Sequence, residues 1–131
     1  MIFKYTILYV DDVEVSANFF TQALGIKTAF IHESGDYAEL DTGTTKLSLS
    51  SRALLKSGGI DAHQPSVSQP TFEIAFETDD VAGALKMALA AGATLLKDLK
   101  NEEWGQTTAY ISDRNGYLIE LCSPIQLPNP G

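Results

Sequence analysis

The hydrophobic and polar positions of the chain follow two periods that alternate, and the alternation occurs twice. From Phe3 to Val10 the residues are mostly aromatic, aliphatic or β-branched, the composition of a strand. Val13, Ala17, Phe20 and Leu24 then recur at helical spacing. Asp11-Asp12 can cap the start of that helix and Gly25 can close it. Strand patterns follow near residues 27–32, 37–41 and 46–50, divided by the turn-forming runs Ser34-Gly35-Asp36 and Thr42-Gly43-Thr44. Residues 52–70 hold Gly58-Gly59, two prolines and several small polar residues, and read as a linker that begins with a short helical turn at 53–56. The order then returns. Residues 71–78 read as a strand, Asp79-Asp80 as a cap, and 81–91 as an Ala- and Leu-rich helix ended by Gly92. Strands are predicted near 94–99, 106–112 and 117–123, with a loose tail at 126–131.

The second half matches the first in its letters as well as its pattern. Val10-Asp11-Asp12-Val13 returns 68 positions on as Thr78-Asp79-Asp80-Val81. The run from Ala38 to Leu49 returns 72 positions on as Tyr110 to Leu121, with Asp41 over Asp113 and Leu47 over Ile119. Shared element order, capping dipeptide and closing hairpin together predict a duplicated βαβββ module. The fold class expected is α+β, two such modules forming curved mixed sheets around a concave pocket. A single domain would span 1–131, with module 1 at about 1–57, the linker at about 58–70 and module 2 at about 71–125.

In each module the helix should cover one face of the sheet and leave the other to the pocket. Alternation along the strands assigns the sides. Thr6, Leu8 and Val10 are expected to face the first helix, and Tyr5, Ile7 and Tyr9 the pocket. Phe72, Ile74 and Phe76 should face the second helix, and Glu73, Ala75 and Glu77 the pocket. Leu47, Leu49, Ile119 and Leu121 are core, opposite Lys46, Ser48, Ser50, Leu118, Glu120 and Cys122. Glu120 stands out as a carboxylate inside an apolar strand, just after a turn supplied by Arg114-Asn115-Gly116. A charge so placed is costly unless something pairs with it. It lines a wet cavity, holds a cation or a hydrogen-bonding ligand, or is tied to Arg52 or Arg114. The repeat sets Ser48 in its place in module 1, and Tyr5 in the place of Glu73.

Charge narrows the partners. A formal net charge of -8 argues against nucleic acid, whose phosphates need clustered Lys and Arg, and is compatible with a cationic small ligand. Cys122 is the only cysteine, so no intrachain disulfide can form and a reducing compartment is indicated. The chain starts on strand-like residues without a signal-peptide pattern, and no apolar run reaches membrane-span length. A cytoplasmic protein with no membrane partner is expected.

Three segments carry a resemblance to a known family: Leu8-Tyr9-Val10-Asp11-Asp12, the helix from Asn18-Phe19-Phe20 to Leu24-Gly25, and Asp113-Arg114-Asn115-Gly116-Tyr117-Leu118-Ile119-Glu120-Leu121. They resemble the vicinal oxygen chelate superfamily, the group of glyoxalases, bleomycin-resistance proteins and extradiol dioxygenases. The resemblance runs from Ile2 to Ile125. Its closing segment is the most specific part, because members commonly end with an Asp-x-x-Gly turn and a Glu in the next strand. Metalloenzymes of that group hold a divalent metal through four positions, which fall here on Tyr5, Ser48, Glu73 and Glu120. Only Glu120 has the usual ligand type. Glu73 stands where a His is common, Ser48 is a poor neutral ligand, and Tyr5 would need a strongly lowered pKa. Zn, Ni or Fe sites generally want more imidazole or carboxylate than this. His32 and His63 lie outside the family's ligand spacing. No cofactor is therefore expected; if a divalent metal binds, Glu120 and Glu73 would hold it.

Two functions follow from the resemblance. One is a homodimeric binder of the resistance-protein kind, sequestering a small aromatic or basic molecule without chemistry. The other is a metal-dependent lyase, isomerase or dioxygenase in which Glu120 is the best catalytic candidate. The expected ligand pocket comprises Tyr5, Ile7, Tyr9, Ser48, Glu73, Ala75, Trp104, Glu120 and Cys122. Two acids close together cannot both ionise cheaply, so one should have a raised pKa. Trp104, the only tryptophan, precedes Gly105 and Gln106 at the start of a pocket-facing strand, where it either stacks a planar ligand or packs. Cys122 reads either as a reactive thiol or as a small buried hydrophobe.

Overall fold

A computed structural model of the chain describes residues 1–125, so the tail expected at 126–131 lies outside the described residues. The chain divides into two compact units, 1–65 and 66 onward. Each is an α+β layer with a four-stranded mixed sheet.

The first unit runs β1 (Tyr5–Val10), α1 (Val13–Leu24), β2 (Thr28–Ile31), β3 (Tyr37–Leu40), β4 (Lys46–Ser51) and α2 (Arg52–Ser57). Its sheet has the order β1-β4-β3-β2, with β1 parallel to β4 and the other neighbours antiparallel. Asp12 starts α1 by accepting the backbone N–H of Val15 on Oδ1 at 3.1 Å, and Gly25 ends it at φ 70°. The apolar stripe Val13, Ala17, Phe20 and Ala23 is buried, and α1 packs over β2, β3 and β4. Burying one side chain the size of Phe20 contributes about 1.5–3 kcal/mol. The short turn predicted at 53–56 is a full helix of 6 residues. Ser51 explains the extension: its Oγ accepts the N–H of Leu54 at 3.0 Å while donating to Asp36 at 2.9 Å. Arg52 pairs with Asp11 and donates to the Tyr9 carbonyl at 3.2 Å, fastening the helix start to the end of β1.

The second unit repeats this plan as β5 (Glu73–Glu77), α3 (Val81–Ala90), β6 (Thr94–Asn101), β7 (Thr107–Ser112) and β8 (Leu118–Cys122). Its sheet order is β5-β8-β7-β6, again with one parallel pair, β5 and β8. Asp80 caps α3 through the N–H of Gly83 at 2.9 Å. A Cβ at position 83 would stand 2.2 Å from Asp80 Oδ2, so a side chain there would displace the capping carboxylate. Built from small residues, α3 buries only Val81, Leu85 and Ala88. Phe72, expected to face the helix, does not lie in the strand. It precedes β5, is 48% exposed, and sets its ring against Tyr117 at 6.1 Å.

The β7–β8 connection, residues 113–117 between Ser112 and Leu118, is the expected tight turn: Gly116 donates to the Asp113 carbonyl and Asp113 to the Tyr117 carbonyl, both at 3.2 Å. Of Arg114, Asn115 and Gly116, only Gly116 has positive φ, at 103°. Asp113, 4% exposed, holds the turn together. Its Oδ1 accepts the backbone N–H groups of Asn115 (3.1 Å), Gly116 (2.9 Å) and Tyr117 (2.8 Å), and its Oδ2 accepts Asn115 Nδ2 at 2.9 Å. Glu39 and its partner Ser48 are 9 positions apart, whereas Tyr110 and its partner Glu120 are 10. The match of Ala38 to Tyr110 is thereby corrected by one residue: Glu39 stands in Tyr110's place. Asp113→Ala removes the carboxylate that gathers the turn, while Gly116 keeps the backbone carbonyl at position 113; urea denaturation should report a loss of about 1–3 kcal/mol.

Candidate functional site

The face of the second sheet that turns away from α3 collects its polar chemistry from three strands. In β5, Glu73, Ala75 and Glu77 alternate with Ile74 and Phe76. They lie beside Leu118, Glu120 and Cys122 of β8, with Ala75 directly paired to Glu120 and Glu73 to Leu118. Glu73 and Glu120 are thus diagonal neighbours, whose Cα atoms in such pairs are roughly 7–8 Å apart, within reach of glutamate side chains. From β7, Tyr110 stands directly opposite Glu120 and donates its hydroxyl to Oε2 at 2.9 Å. Lys97 of β6 places its ammonium 5.8 Å from the Tyr110 ring centre. Arg52 is engaged with Asp11 in the first unit, so the tie sought for Glu120 comes from a phenol.

The electrostatics follow from this crowding. Loss of water raises the Glu73 carboxyl above its ordinary 4.5, and the hydrogen bond and charge of Glu120 raise it further, while Tyr110 pulls the other way. Burial also pushes the Tyr110 phenol far up, reinforced by Glu120 and Glu73. Its proton therefore stays in place as a donor. Burial first, then Glu120, Glu77 and Glu73, raise Cys122, whose thiol sits 3.7 Å from the Phe76 carbonyl oxygen. That is the environment of a protonated, unreactive thiol. Among the described residues neither Glu73 nor Glu120 is ion-paired; the two ion pairs present are Arg52–Asp11 and Lys100–Glu102.

The structure brings Glu73, Ala75, Glu120 and Cys122 together on the sheet of the second unit. Tyr5, Ile7, Tyr9 and Ser48 share one face of the first unit's sheet. Tyr5 and Ile7 are 43% and 40% exposed there, but Ser48 is fully buried and accepts the Tyr37 hydroxyl at 3.0 Å. Trp104 is not on a pocket-facing strand. It lies in the β6–β7 turn, 57% exposed, with its indole N–H on Gln106 Oε1 at 2.8 Å. Gly105, at φ 88°, makes the turn there. Thr107 at the start of β7 is already roughly 10 Å along the strand from Tyr110, and Trp104 lies beyond it. The same end of the unit holds a cavity of about 470 Å³ lined by Asp79, Asn101, Glu102, Gly105, Gln106, Thr107, Ser123 and Pro124. A neighbouring one of about 360 Å³ shares Asp79, Asn101, Thr107 and Ser123. Sequence reasoning missed these cavities, because they arise from where a hairpin end meets a helix start.

A family model, the glyoxalase-like domain, matches residues 3–126. The chain belongs to the glyoxalase-like family, within the vicinal oxygen chelate superfamily. The uncharacterized protein YraH of Bacillus subtilis (strain 168) is 26% identical over 117 residues, covering 87% of this chain and 91% of YraH. A glyoxalase-related enzyme from Fulvimarina pelagi superposes with a TM-score of 0.81 at 19% identity, covering 92% of this chain and 86% of that one. A glyoxalase/bleomycin resistance protein/dioxygenase family enzyme from Burkholderia phytofirmans PsJN gives 0.79 at 19% identity, with coverages of 94% and 98%. At such identities the structures share the fold of this glyoxalase-like chain.

The donors of this glyoxalase-like chain do not fit the metal quartet found in metalloenzymes of the superfamily. In the first unit, Ser48 is a neutral hydroxyl already holding Tyr37. In the second, Oε2 of Glu120 accepts the Tyr110 hydroxyl at 2.9 Å. Among the described residues no group of three or more His, Cys, Asp or Glu side chains could hold a metal ion. His32 is occupied within its own turn, where Nδ1 accepts the Ser34 N–H at 3.1 Å, and His63 is exposed.

The raised Glu73 carboxyl makes a signed prediction. Its folded value lies above 4.5, so the folded state holds the proton more tightly than the unfolded chain. That contribution is fully present below the unfolded value and is lost as pH rises through the folded one. Glu73→Gln, which never ionises, should match the wild type in stability near pH 4 and exceed it at neutral pH. Denaturation midpoints across that window measure the difference.

Proposed function

We propose that the chain binds a small basic molecule with an aromatic body on the carboxylate face of its second unit, as a homodimeric binder that performs no chemistry on it. The observation that carries this reading is the pair of adjacent carboxyls, Glu73 and Glu120, neither of them ion-paired among the described residues. Two like charges side by side raise each other's cost, and a ligand cation relieves it. Ala75 and Leu118 beside them supply apolar surface for the ligand body. In the first unit, the exposed Tyr5 and Ile7 offer apolar surface for a second copy to cover. Family membership supports small-molecule recognition in general terms. A metal-dependent lyase, isomerase or dioxygenase centred on Glu120 has less support, because the donors around it lack imidazole.

Benzamidine is a suitable probe, a phenyl ring bearing a planar cation. It should bind the wild-type protein in isothermal titration, and Glu120→Gln should weaken it about tenfold or more, the worth of one charge-assisted hydrogen bond. Protein purified without chelator should carry substoichiometric divalent metal. Stoichiometric metal together with unaltered benzamidine binding by Glu120→Gln would favour the enzyme reading instead.

A further inference from the structure

Tyr110 was not among the residues that the sequence pattern selected, yet its hydroxyl donates directly to Glu120. We propose that Tyr110 is a positioning residue that makes the carboxylate face selective for cations able to donate N–H bonds. The inference rests on the reading of that face as the binding surface.

A strand carboxylate without a partner can rotate, and a ligand that bonds to it directionally must bear the cost of ordering it. Tyr110 removes that freedom. Its hydroxyl lies on Oε2 at 2.9 Å, from a residue directly opposite in the antiparallel pair, and the Lys97 ammonium lies against its ring at 5.8 Å. The Glu120 carboxylate is then held at Oε2 rather than free to rotate. The single phenolic proton is spent on this bond, so Tyr110 has no donor to offer a ligand. Once Glu73 is ionised, it also only accepts. The groups nearest Glu120 therefore present oriented acceptors and negative charge. An amidinium, guanidinium or primary ammonium satisfies both features. A quaternary ammonium satisfies only the charge, and a carboxylate satisfies neither.

Three probes with the same ring separate these terms: benzamidine, benzyltrimethylammonium and benzoate. By isothermal titration the wild type should bind benzamidine at least tenfold more tightly than benzyltrimethylammonium, and should not bind benzoate. Tyr110→Phe keeps the ring and removes the hydroxyl. It should weaken benzamidine roughly fivefold, the scale of one hydrogen bond. Benzyltrimethylammonium should be nearly unchanged, so the preference narrows. A purely structural tyrosine would weaken both cations alike. Equal binding of the two cations by the wild type overturns the inference and leaves the binding surface standing. So does an undiminished preference in a folded Tyr110→Phe. Failure of the wild type to bind either cation overturns both.

Discussion

The candidate site depends on the register of one hairpin, and Asp113 sets that register. A slip of one residue between β7 and β8 would turn every side chain of one strand to the opposite face. Tyr110 would then no longer oppose Glu120. The turn that prevents the slip has backbone donors beyond the strand ladder, besides the bonds of Gly116 to the Asp113 carbonyl and of Asp113 to the Tyr117 carbonyl. A single buried carboxylate accepts three of them and the Asn115 side chain as well. The Asp-x-x-Gly signature of this hairpin thus has a mechanical meaning: the Asp gathers the donors and Gly116 supplies the positive φ.

The two units show how one plan diverges at one position. On β4, Ser48 meets the Tyr37 hydroxyl and is fully buried, a neutral pair closed to ligand. On β8, Glu120 meets the Tyr110 hydroxyl and stays partly exposed, beside a second carboxyl. A hydroxyl–hydroxyl contact needs no counterion. A pair of carboxyls does when both are charged, and among the described residues neither is ion-paired. The chemistry of the fold is thus concentrated in the second unit, where acceptors are oriented but imidazole and thiolate ligands are lacking.

Much of this was legible in the sequence, for reasons that differ by residue. The βαβββ order follows from apolar periods of two and 3.6 punctuated by Asp caps and glycines, which are local signals. The facing of Glu73, Ala75, Glu120 and Cys122 follows from strand alternation alone. Tyr110 was missed because its partner depends on loop length. Counting back from a five-residue loop at 113–117 would have placed it opposite Glu120. Trp104 was misplaced because a strand was begun one residue early and a turn glycine was read as its lead-in. Burial of Ser48 depends on the reach of Tyr37 from a neighbouring strand, which no linear pattern records.

The most direct test of the account locates the ligand rather than measuring its affinity. In a backbone amide NMR titration of the full chain with benzamidine, the largest shifts should fall on Glu73 to Glu77, on Tyr110 and on Leu118 to Cys122. Shifts centred instead on Asp79, Gln106 and Ser123 would move the site to the cavity at the β6–β7 end. They would contradict the claim that the Tyr110–Glu120–Glu73 group is where this protein meets its ligand.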